Sequence, residues 1–533
     1  MRLFVAEETQ EGIWQIGGYW SLEKRMKDIA NMEAEWTTLL ANFPDEAELQ
    51  TLKGLAKKLR ENAYALDRSL RSQPMHYYAL LHGDCKAANI FLASLDGTDE
   101  VTQGGRVGDE EQVLKKSRKE SMAGAIDWQW CGWGLGMQDV VYLISTSSSL
   151  QVLEKEEREK FVSKKYILSL RENLCQRLCD GPCKEGHAID VLEQFSEDRL
   201  QLQFRVALCD YTRFLVGSMW GKVTPSSIEK VRLDRNVGMH KRNLNHLLWL
   251  ARNSNLYLSE FERKVTGTHR KVAKALSLSL QLASMAGQIA RDVTQEKTLG
   301  TVNKTGDDEK ALDPQTKADR DSEQLILNVL SACLPDVEVI GEEGYEPNQA
   351  DGEKQKSTLN EHLVAPWEVD LDDLAQSDTQ GSGTDDEITV WIDPLDGTRE
   401  YVEGTRECVT VLIGIAVNGQ AVAGVINQPF IGAEGRTLWG GLGMGVWETY
   451  GTCWERATPL QRHQQSPQKE EERRLIVATT RSHPGPKVEE GLKKLPVDEV
   501  VRVGGAGGKV ALILDGKVDA WIFPQKGMRR PLL

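Results

Sequence analysis

Cysteine is scarce in this chain of 533 residues and occurs only nine times. An odd and sparse count favours free thiols in a reducing compartment over a framework of disulfides. Four side chains that could bind zinc do recur at intervals of four residues, namely Cys175, Cys179, Cys183 and His187. Gly181-Pro182 interrupts any helix that would align them, and known zinc spacings differ from this one. Free thiols at a helix end are therefore the favoured interpretation, with a zinc site as the alternative.

Long apolar runs are also absent. No run of 18 or more apolar residues occurs, so the sequence predicts no transmembrane helix. The N-terminus meets an acidic residue after four apolar ones, which excludes the apolar segment of a secretory signal peptide. We expect a cytoplasmic protein that does not bind membranes, and targeting to an organelle stays open.

Positive charge is in short supply, since 65 lysines and arginines face 80 acids and leave a formal net charge of −15. Such a surface repels polyanions, which disfavours general binding of nucleic acids. Residues 344–387 hold 12 of these acids against two lysines and show no periodicity. We interpret this segment as a solvated insertion of low order. At 40% hydrophobic and 27% charged residues, the composition is otherwise that of a folded, multidomain protein.

Two halves with different periodicity follow each other along the chain. Residues 21–71 and 153–260 have the apolar spacing of helices, and two short strands lie between them. The boundary is predicted near 258–268, which gives domains of 1–258 and 268–533. After a helix around Leu276 to Val293, short strands alternate with glycine turns, among them a hairpin closed by Asn418-Gly419. The sequence therefore predicts a helical unit followed by an α/β unit.

Acidic residues recur at the ends of predicted strands in the second half. Asp393 and Asp396 lie three residues apart after the strand 388–393, and Glu342 follows another strand. Asp319 lies in a polar helix start. Carboxylates in such places repel one another unless cations compensate them, and an intervening backbone carbonyl is a further oxygen ligand. The pattern favours a site for hard metal ions, and the alternative is that these are ordinary turn residues.

These segments together resemble the lithium-sensitive, magnesium-dependent phosphatases of the inositol monophosphatase family, and within it the 3'(2'),5'-bisphosphate nucleotidases. The resemblance covers about 270–533. It rests on Lys317-Ala-Asp-Arg, Gly341-Glu-Glu, Trp391-Ile-Asp-Pro-Leu-Asp-Gly-Thr-Arg-Glu-Tyr401, Gly424-Val-Ile-Asn-Gln-Pro429, Thr479-Thr-Arg-Ser-His483 and Val503-Gly-Gly-Ala-Gly507.

The resemblance implies an α/β/α/β layered sandwich that hydrolyses 3'-phosphoadenosine 5'-phosphate to AMP and phosphate, or that acts on the sulfated relative of this nucleotide. It assigns Mg²⁺ to Glu342, Asp393, the Leu395 carbonyl and Asp396. The resemblance further implies that Asp319 and Thr398 polarise the attacking water. The positions that match nucleotide contacts are Thr480, His483 and Gly505, with a basic residue at Arg529. An inositol phosphate is the alternative substrate.

The chain departs from the family after Arg530, where a Trp-Asp pair is expected and Pro531-Leu532-Leu533 follows instead. The Asp of that pair is a further metal ligand in the family. Its loss should weaken the second ion, so we expect impaired phosphatase activity from the chain as written.

A second pattern lies in the first half, where His82-Gly-Asp84 is followed by Asn89 and, 38 residues later, by Asp127. An Asp beside a substrate hydroxyl, an Asn five residues on and an Asp at a strand end can supply a base and two metal ligands. The alternative is an ordinary turn followed by a strand cap.

This second pattern resembles the C-terminal lobe of the aminoglycoside phosphotransferases and ecdysteroid-kinase-like proteins. The resemblance implies Asp84 as catalytic base, Asn89 and Asp127 as Mg²⁺ ligands, and Asp139 as a structural residue. Only 81 residues precede His82 and they have helical spacing, so the usual N-terminal lobe is not recognisable and we expect ATP to bind poorly. The alternative functions are a small-molecule phosphotransferase whose missing lobe comes from another chain and a non-catalytic fusion fragment. The acceptor and the oligomeric state stay open.

Overall fold

The computed structural model describes residues 13–14, 16–71, 78–94, 121–149, 153, 167–173, 195–234, 236–296, 298–304, 314–371, 386–460, 474–481 and 485–523. Backbone contacts divide the chain into two compact units, Met1–Arg263 and Lys264–Leu533. The predicted loop 96–120, the Cys175–His187 cluster, His483 and Arg529 lie outside the described residues. The six cysteines in the described part are free thiols.

The N-terminal unit is mainly helical, as the sequence predicts. Its described helices are α1 (Met26–Asn42), α2 (Ala47–Thr51), α3 (Leu55–Glu61), α4 (Ala63–Arg71), α5 (Met137–Ser147), α6 (Glu197–Ser218), α7 (Pro225–Val231), α8 (Met239–Arg242) and α9 (Leu244–Phe261). Short 3₁₀ turns lie at Leu22–Arg25, Ala87–Asn89 and Trp220–Lys222.

Helix α6 is the centre of this unit. Ser196 caps its N-terminus: the side chain accepts a hydrogen bond from the Arg199 amide, and a serine in this position satisfies a free N–H of the first turn. Its apolar side chains pack with those of α1 and α9 in one core that includes Trp36, Phe214 and Leu250. Burial on this scale, not helix propensity alone, stabilises the helices.

Four short strands surround the His82–Asn89 loop. Strand β1 (Ala79–Leu81) pairs antiparallel with β4 (Gly132–Gly134), and β2 (Ile90–Ser94) pairs antiparallel with β3 (Ser121–Ala125). The predicted strand, Ala123 to Trp128, is therefore shifted towards the C-terminus relative to β3. Asp127 follows β3 with φ of 66°, in the left-handed region, which a continued strand does not allow.

The C-terminal unit alternates helices and strands. Its described helices are α10 (Gly267–Val293), α11 (Lys317–Cys333), α12 (Gln349–Lys356), α13 (Thr398–Glu403), α14 (Pro486–Lys493) and α15 (Ala506–Leu514). Its described strands are β5 (Val302–Asn303), β6 (Pro314–Gln315), β7 (Glu338–Gly341), β8 (Ile388–Asp396), β9 (Thr410–Val417), β10 (Gln420–Gln428), β11 (Arg436–Gly441), β12 (Gly445–Tyr450), β13 (Thr458–Pro459), β14 (Ile476–Thr480), β15 (Glu499–Val503) and β16 (Ala520–Ile522).

The strands form two principal sheets, and the helices lie in layers against them. The large sheet has the order β13-β12-β11-β10-β9-β8-β7, and the small sheet has the order β15-β14-β16 with parallel pairs. Helices α10 and α11 pack on the large sheet, while α15 contacts both β9 and β14. The α/β/α/β layering predicted for this half is confirmed for the described residues.

The predicted hairpin is present, and its turn explains its register. Strands β9 and β10 are joined by Asn418 and Gly419, whose φ angles are 51° and 78°. Both residues are in the left-handed region, as a two-residue turn of this kind requires.

The prediction that residues 344–387 form a solvated insertion of low order is wrong in part. Within 344–371, α12 forms a helix, and the apolar side chains of Leu363, Val364 and Val369 are buried. These few apolar residues lack a period, so the sequence pattern does not reveal them, yet they contact the unit's interior. Residues 372–385 lie outside the described residues.

No helix in the described part of the chain has both the length and the mean hydropathy that crossing a lipid bilayer requires.

Candidate active site

Strand β8 carries Asp393 and Asp396 and has a β-bulge between them. Asp393 pairs with Leu412 and Asp396 with Thr410, so two residues of β8 face one residue of β9. Side chains three residues apart in a regular strand point to opposite faces, whereas one extra residue returns them to the same face. Pro394 lies in the bulge, where its missing N–H is tolerated. The bulge, which the sequence pattern alone did not predict, brings both carboxylates to one side.

The Asp396 carboxylate is fixed by the start of α15. It accepts hydrogen bonds from the N–H groups of Ala506 at 2.9 Å and Gly507 at 2.8 Å, and from the Thr410 hydroxyl at 2.9 Å. Gly505 has φ of 65°, and a Cβ there would lie 2.6 Å from an Asp396 oxygen. Burial raises the pKa of Asp396, although these hydrogen bonds oppose the rise. Only glycine allows this close approach.

Asp393 lies among other carboxylates. The Glu342 amide donates to the Ile392 carbonyl at 3.0 Å, which places Glu342 beside Asp393. Burial first, and then the charges of Asp396 and Glu342, raise the pKa of Asp393 well above its ordinary value. The three carboxylates predicted from the sequence are thus brought together, and their repulsion is relieved either by protonation or by a cation.

Asp319 and Thr398 form a hydrogen-bonded pair. In the capping box of α11, the Thr316 amide and hydroxyl donate to Asp319 Oδ2 at 2.7 and 2.5 Å. The Thr398 hydroxyl lies 3.0 Å from Asp319 Oδ1 and 2.9 Å from the Leu395 carbonyl, and it can donate its one proton to either. Burial raises the pKa of Asp319 to about 6 against these hydrogen bonds.

A lysine that the sequence did not single out lies at the same acids. Lys304 Nζ is 3.1 Å from Glu342 Oε1 and 2.7 Å from Glu343 Oε1. Burial disfavours its charge, but the bonds to Glu343 and the attraction of both glutamates raise the pKa of Lys304 overall. A single lysine in a polar segment carries no sequence signal of this role. Thr410 was also missed, because a threonine that begins a buried apolar strand is an ordinary strand residue.

Two of the predicted nucleotide contacts lie at one end of the small sheet. Thr480 ends β14 and pairs in parallel with Val503, which is followed by Gly504 and Gly505. Thr480 is buried, and Gly505 precedes α15 beside Asp396. The structure therefore brings Thr480 and Gly505 to the same edge as the carboxylates.

The Asp84 carboxylate of the N-terminal unit is buried and hydrogen-bonded. Its Oδ1 accepts from the Tyr142 hydroxyl at 2.6 Å, and its Oδ2 accepts from Lys86 at 2.8 Å and from the Asn89 amide at 3.2 Å. Asp84 and Asn89 are therefore together, as the motif predicts. Tyr142, on α5, was not recognised from the sequence.

The loop that carries Asp84 is held from behind by Asp139. The Asp139 carboxylate accepts the backbone N–H of His82 at 2.7 Å and of Gly83 at 3.0 Å. The Asp127 side chain is exposed, and its neighbour Ile126 donates its amide to the Asn89 carbonyl at 3.0 Å. Among the described residues, no group of three or more acidic, histidine or cysteine side chains has the spacing of a formed metal site in either unit.

Comparisons with known proteins concern the second half of the chain. The sequence model of the inositol monophosphatase family matches residues 271–529. The 3'(2'),5'-bisphosphate nucleotidase 1 of Rattus norvegicus is 35% identical over 274 residues, which are 50% of this chain and 80% of that protein. The human protein of the same name is 37% identical over 269 residues, which are 49% of this chain and 77% of that protein.

A solved structure, that of CysQ from Bacteroides thetaiotaomicron, a bacterial member of the inositol monophosphatase family, is 20% identical. It matches 47% of this chain and 79% of its own, with a TM-score of 0.30. The two nucleotidases exceed 30% identity over more than two thirds of their own length. The chain belongs to the inositol monophosphatase family.

Proposed function

We propose that the C-terminal unit is a metal-dependent phosphatase that removes a phosphate from 3'(2'),5'-bisphosphate nucleotides and so converts 3'-phosphoadenosine 5'-phosphate to AMP and phosphate. The observation that supports it most is the bulge in β8, which turns Asp393 and Asp396 to one side beside Glu342. Relatives named for this activity, at 35 and 37% identity, support the choice of substrate.

The donor set fits a hard divalent cation. Glu342, Asp393, the Leu395 carbonyl and Asp396 offer oxygen ligands alone, which Mg²⁺ prefers. Burial first, and then the negative charges of Asp396 and Glu342, raise the pKa of Asp393, and a bound cation would relieve this repulsion. Bound Mg²⁺ would supply charge to stabilise the phosphoryl oxygens and to acidify a water molecule.

Asp319 and Thr398 are the residues proposed to move the proton. Asp319 Oδ1 lies 3.0 Å from the Thr398 hydroxyl, so a water that donates to Thr398 can lose its proton to Asp319 through that hydroxyl. A pKa of about 6 leaves Asp319 mostly ionised near neutral pH while it stays basic enough to accept the proton. The capping box of α11 holds Asp319 in this orientation.

Nucleotide binding is proposed at Thr480 and Gly505, with His483 and Arg529 beyond the described residues. Thr480 lies at the end of β14, and Gly505 is half-buried and has no side chain to cover its backbone. Both lie at the edge that carries Asp396.

The test is release of phosphate from 3'-phosphoadenosine 5'-phosphate with Mg²⁺, with inositol 1-phosphate as the competing substrate. Asp393→Asn should lower the kcat of phosphate release by at least about a hundredfold. Asp336→Asn, which changes an exposed acid before β7 that pairs only distantly with Lys271, should leave the rate unchanged. Faster hydrolysis of inositol 1-phosphate would show that the substrate is an inositol phosphate instead. Activity that survives Asp393→Asn would refute the proposed site.

A second candidate, a small-molecule phosphotransferase, is proposed for the N-terminal unit. It is supported by the way the Asp139 carboxylate holds the amides of His82 and Gly83, which fixes Asp84 beside Asn89. A carboxylate base and an amide ligand held in one loop suit transfer of a phosphoryl group to a hydroxyl. The measurement is release of ADP from Mg-ATP. Loss of this release in Asp84→Asn but not in Asp393→Asn would support the phosphotransferase. Equal release by both variants would refute it.

A further inference from the structure

The N-terminal unit contains a cavity of 730 Å³ that opens beside Asp84. Aromatic rings of Tyr19, Trp130 and Tyr142 line one part, and residues of α7 and α8 line another. This volume lies within the range of pockets for small molecules. The cavity is thus large enough for a metabolite, and its chemistry is set by its charges.

Three lysines and one carboxylate line the cavity. Asp84 forms an ion pair with Lys86 at 2.8 Å. The ammonium groups of Lys222 and Lys241 therefore have no second carboxylate in the cavity lining to pair with. In the part of the chain that the structure describes, neither forms an ion pair with an acid. Burial, and then repulsion from Lys222, lowers the pKa of Lys241. Lys222 is exposed and Lys241 is half-buried, so the charge of Lys241 is the less favourable of the two in the free protein, and a bound anion would be attracted to both.

The fold itself brings these two lysines together. The indole N–H of Trp220 donates to His240 Nδ1 at 3.3 Å, and the lysines follow these two residues closely, at 222 in the same 3₁₀ turn and at 241 in α8. The Asn42 amide also donates to the carbonyls of Gly221 and Val223, on either side of Lys222. The backbone on both sides of Lys222 is therefore held by hydrogen bonds, while the Lys222 side chain is exposed at the cavity.

We propose that this cavity binds a small hydroxylated organic anion, whose phosphate or carboxylate group lies at Lys222 and Lys241 and whose hydroxyl reaches Asp84. The Asp84 oxygens keep acceptor capacity beyond their three hydrogen bonds, because a carboxylate offers about four lone-pair sites. The basic wall contrasts with the acidic chain as a whole and selects against cationic ligands. The proposal concerns binding, so it stands whether or not the N-terminal unit transfers phosphoryl groups.

The experiment is isothermal titration calorimetry on the full chain in EDTA, so that no divalent cation loads the C-terminal unit. Glycerol 3-phosphate, glycerate and glycerol present one skeleton with a phosphate, a carboxylate or no charge. We expect saturable binding of at least one of the two anions and none of glycerol, and the stronger anion identifies the headgroup. The Lys222→Gln/Lys241→Gln double variant should bind at least tenfold more weakly. Lys230→Gln, which changes an exposed lysine of α7 outside the cavity, should bind as the parent does.

Thermal unfolding gives a second readout and reports whether the variant folds. The anion should raise the unfolding temperature of the parent protein and not that of the double variant. Without ligand, the double variant should be at least as stable as the parent, because it loses a repulsion. No saturable binding of either anion at millimolar concentration, or equal binding by the double variant, would overturn the proposal, as would anion stabilisation that persists in that variant.

Discussion

Lys304 is the described cation nearest the proposed metal ligands, at 3.1 Å from Glu342. A lysine here neutralises the glutamates while no metal is bound, and it opposes the approach of a second cation. Replacing it by methionine should therefore strengthen Mg²⁺ binding. With an interaction of about 1 kcal/mol, the Mg²⁺ concentration for half-maximal phosphate release should fall roughly fivefold.

The matched control is Lys354→Met, because Lys354 pairs with the exposed Asp351 on α12. That variant should leave the Mg²⁺ dependence unchanged. A higher Mg²⁺ requirement in Lys304→Met would mean that Lys304 orients Glu342 for the metal instead of competing with it.

His240 is a buried histidine held as a neutral ring. Its Nδ1 accepts from Trp220 and its Nε2 lies 3.3 Å from the Tyr211 hydroxyl, so the proton belongs on Nε2. Burial first, and then the charges of Lys241 and His246, lower the pKa of His240 to about 3. A proton added to Nδ1 would also face the Trp220 N–H.

This residue predicts a loss of stability in acid. Below about pH 6.5 the His240 ring is protonated in the unfolded chain but stays neutral in the folded protein. The stability of the N-terminal unit should therefore fall from about pH 6.5 towards pH 3. The loss from this one residue should reach about 2 kcal/mol by roughly pH 5. His240→Asn keeps an acceptor for Trp220 and does not titrate, so its urea unfolding should depend less on pH over this range. Equal slopes in the two proteins would contradict the prediction.

At the scale of elements, the sequence predicted which residues matter in the second half but not how they meet. Asp393 and Asp396 were recognised from their place after a strand, whereas the bulge that turns them to one side depends on pairing with β9. Hydrogen bonds from α15 to Asp396 join residues 110 apart, which no local pattern reveals. Periodicity did predict the long helices, because one buried face recurs every three or four residues.

A buried ion pair joins the large sheet to the end of α15. Arg436 on β11 donates two hydrogen bonds to Asp515, at 2.7 and 3.1 Å, and a third to Glu448 at 2.9 Å. Arg436→Met would leave the Asp515 carboxylate buried with Lys517 as its remaining described partner. We expect a loss of about 3 kcal/mol in unfolding free energy, measured by urea denaturation of the C-terminal unit.

The control is Arg474→Met, which breaks an exposed pair with Glu499 at 3.7 Å. An exposed pair of this kind contributes less than about 1 kcal/mol. Similar effects of the two substitutions would show that the Arg436 pair does not stabilise the unit beyond an ordinary surface contact.

At the scale of the whole molecule, the change of periodicity predicted two halves, and each half has its own hydrophobic core. The core of the first unit includes Trp36 and Phe214, and a core cluster of the second includes Leu395 and Tyr401. The sequence could not predict the cavity beside Asp84, because the segments of Lys222 and Lys241 meet through the hydrogen bond of Trp220 to His240, which are 20 residues apart. Net charge was equally uninformative, since an acidic total conceals this basic wall.

Because each unit has its own core, we expect two transitions in differential scanning calorimetry of the full chain. His240→Asn should shift one transition and Arg436→Met the other, since each side chain is buried within a single unit. The shift for Arg436→Met should be several degrees, because about 3 kcal/mol is a large fraction of the stability of one domain. Mg²⁺ should move only the transition that Arg436→Met moves, and glycerol 3-phosphate in EDTA only the one that His240→Asn moves. A single transition, or substitutions that each shift both, would show that the two units unfold as one.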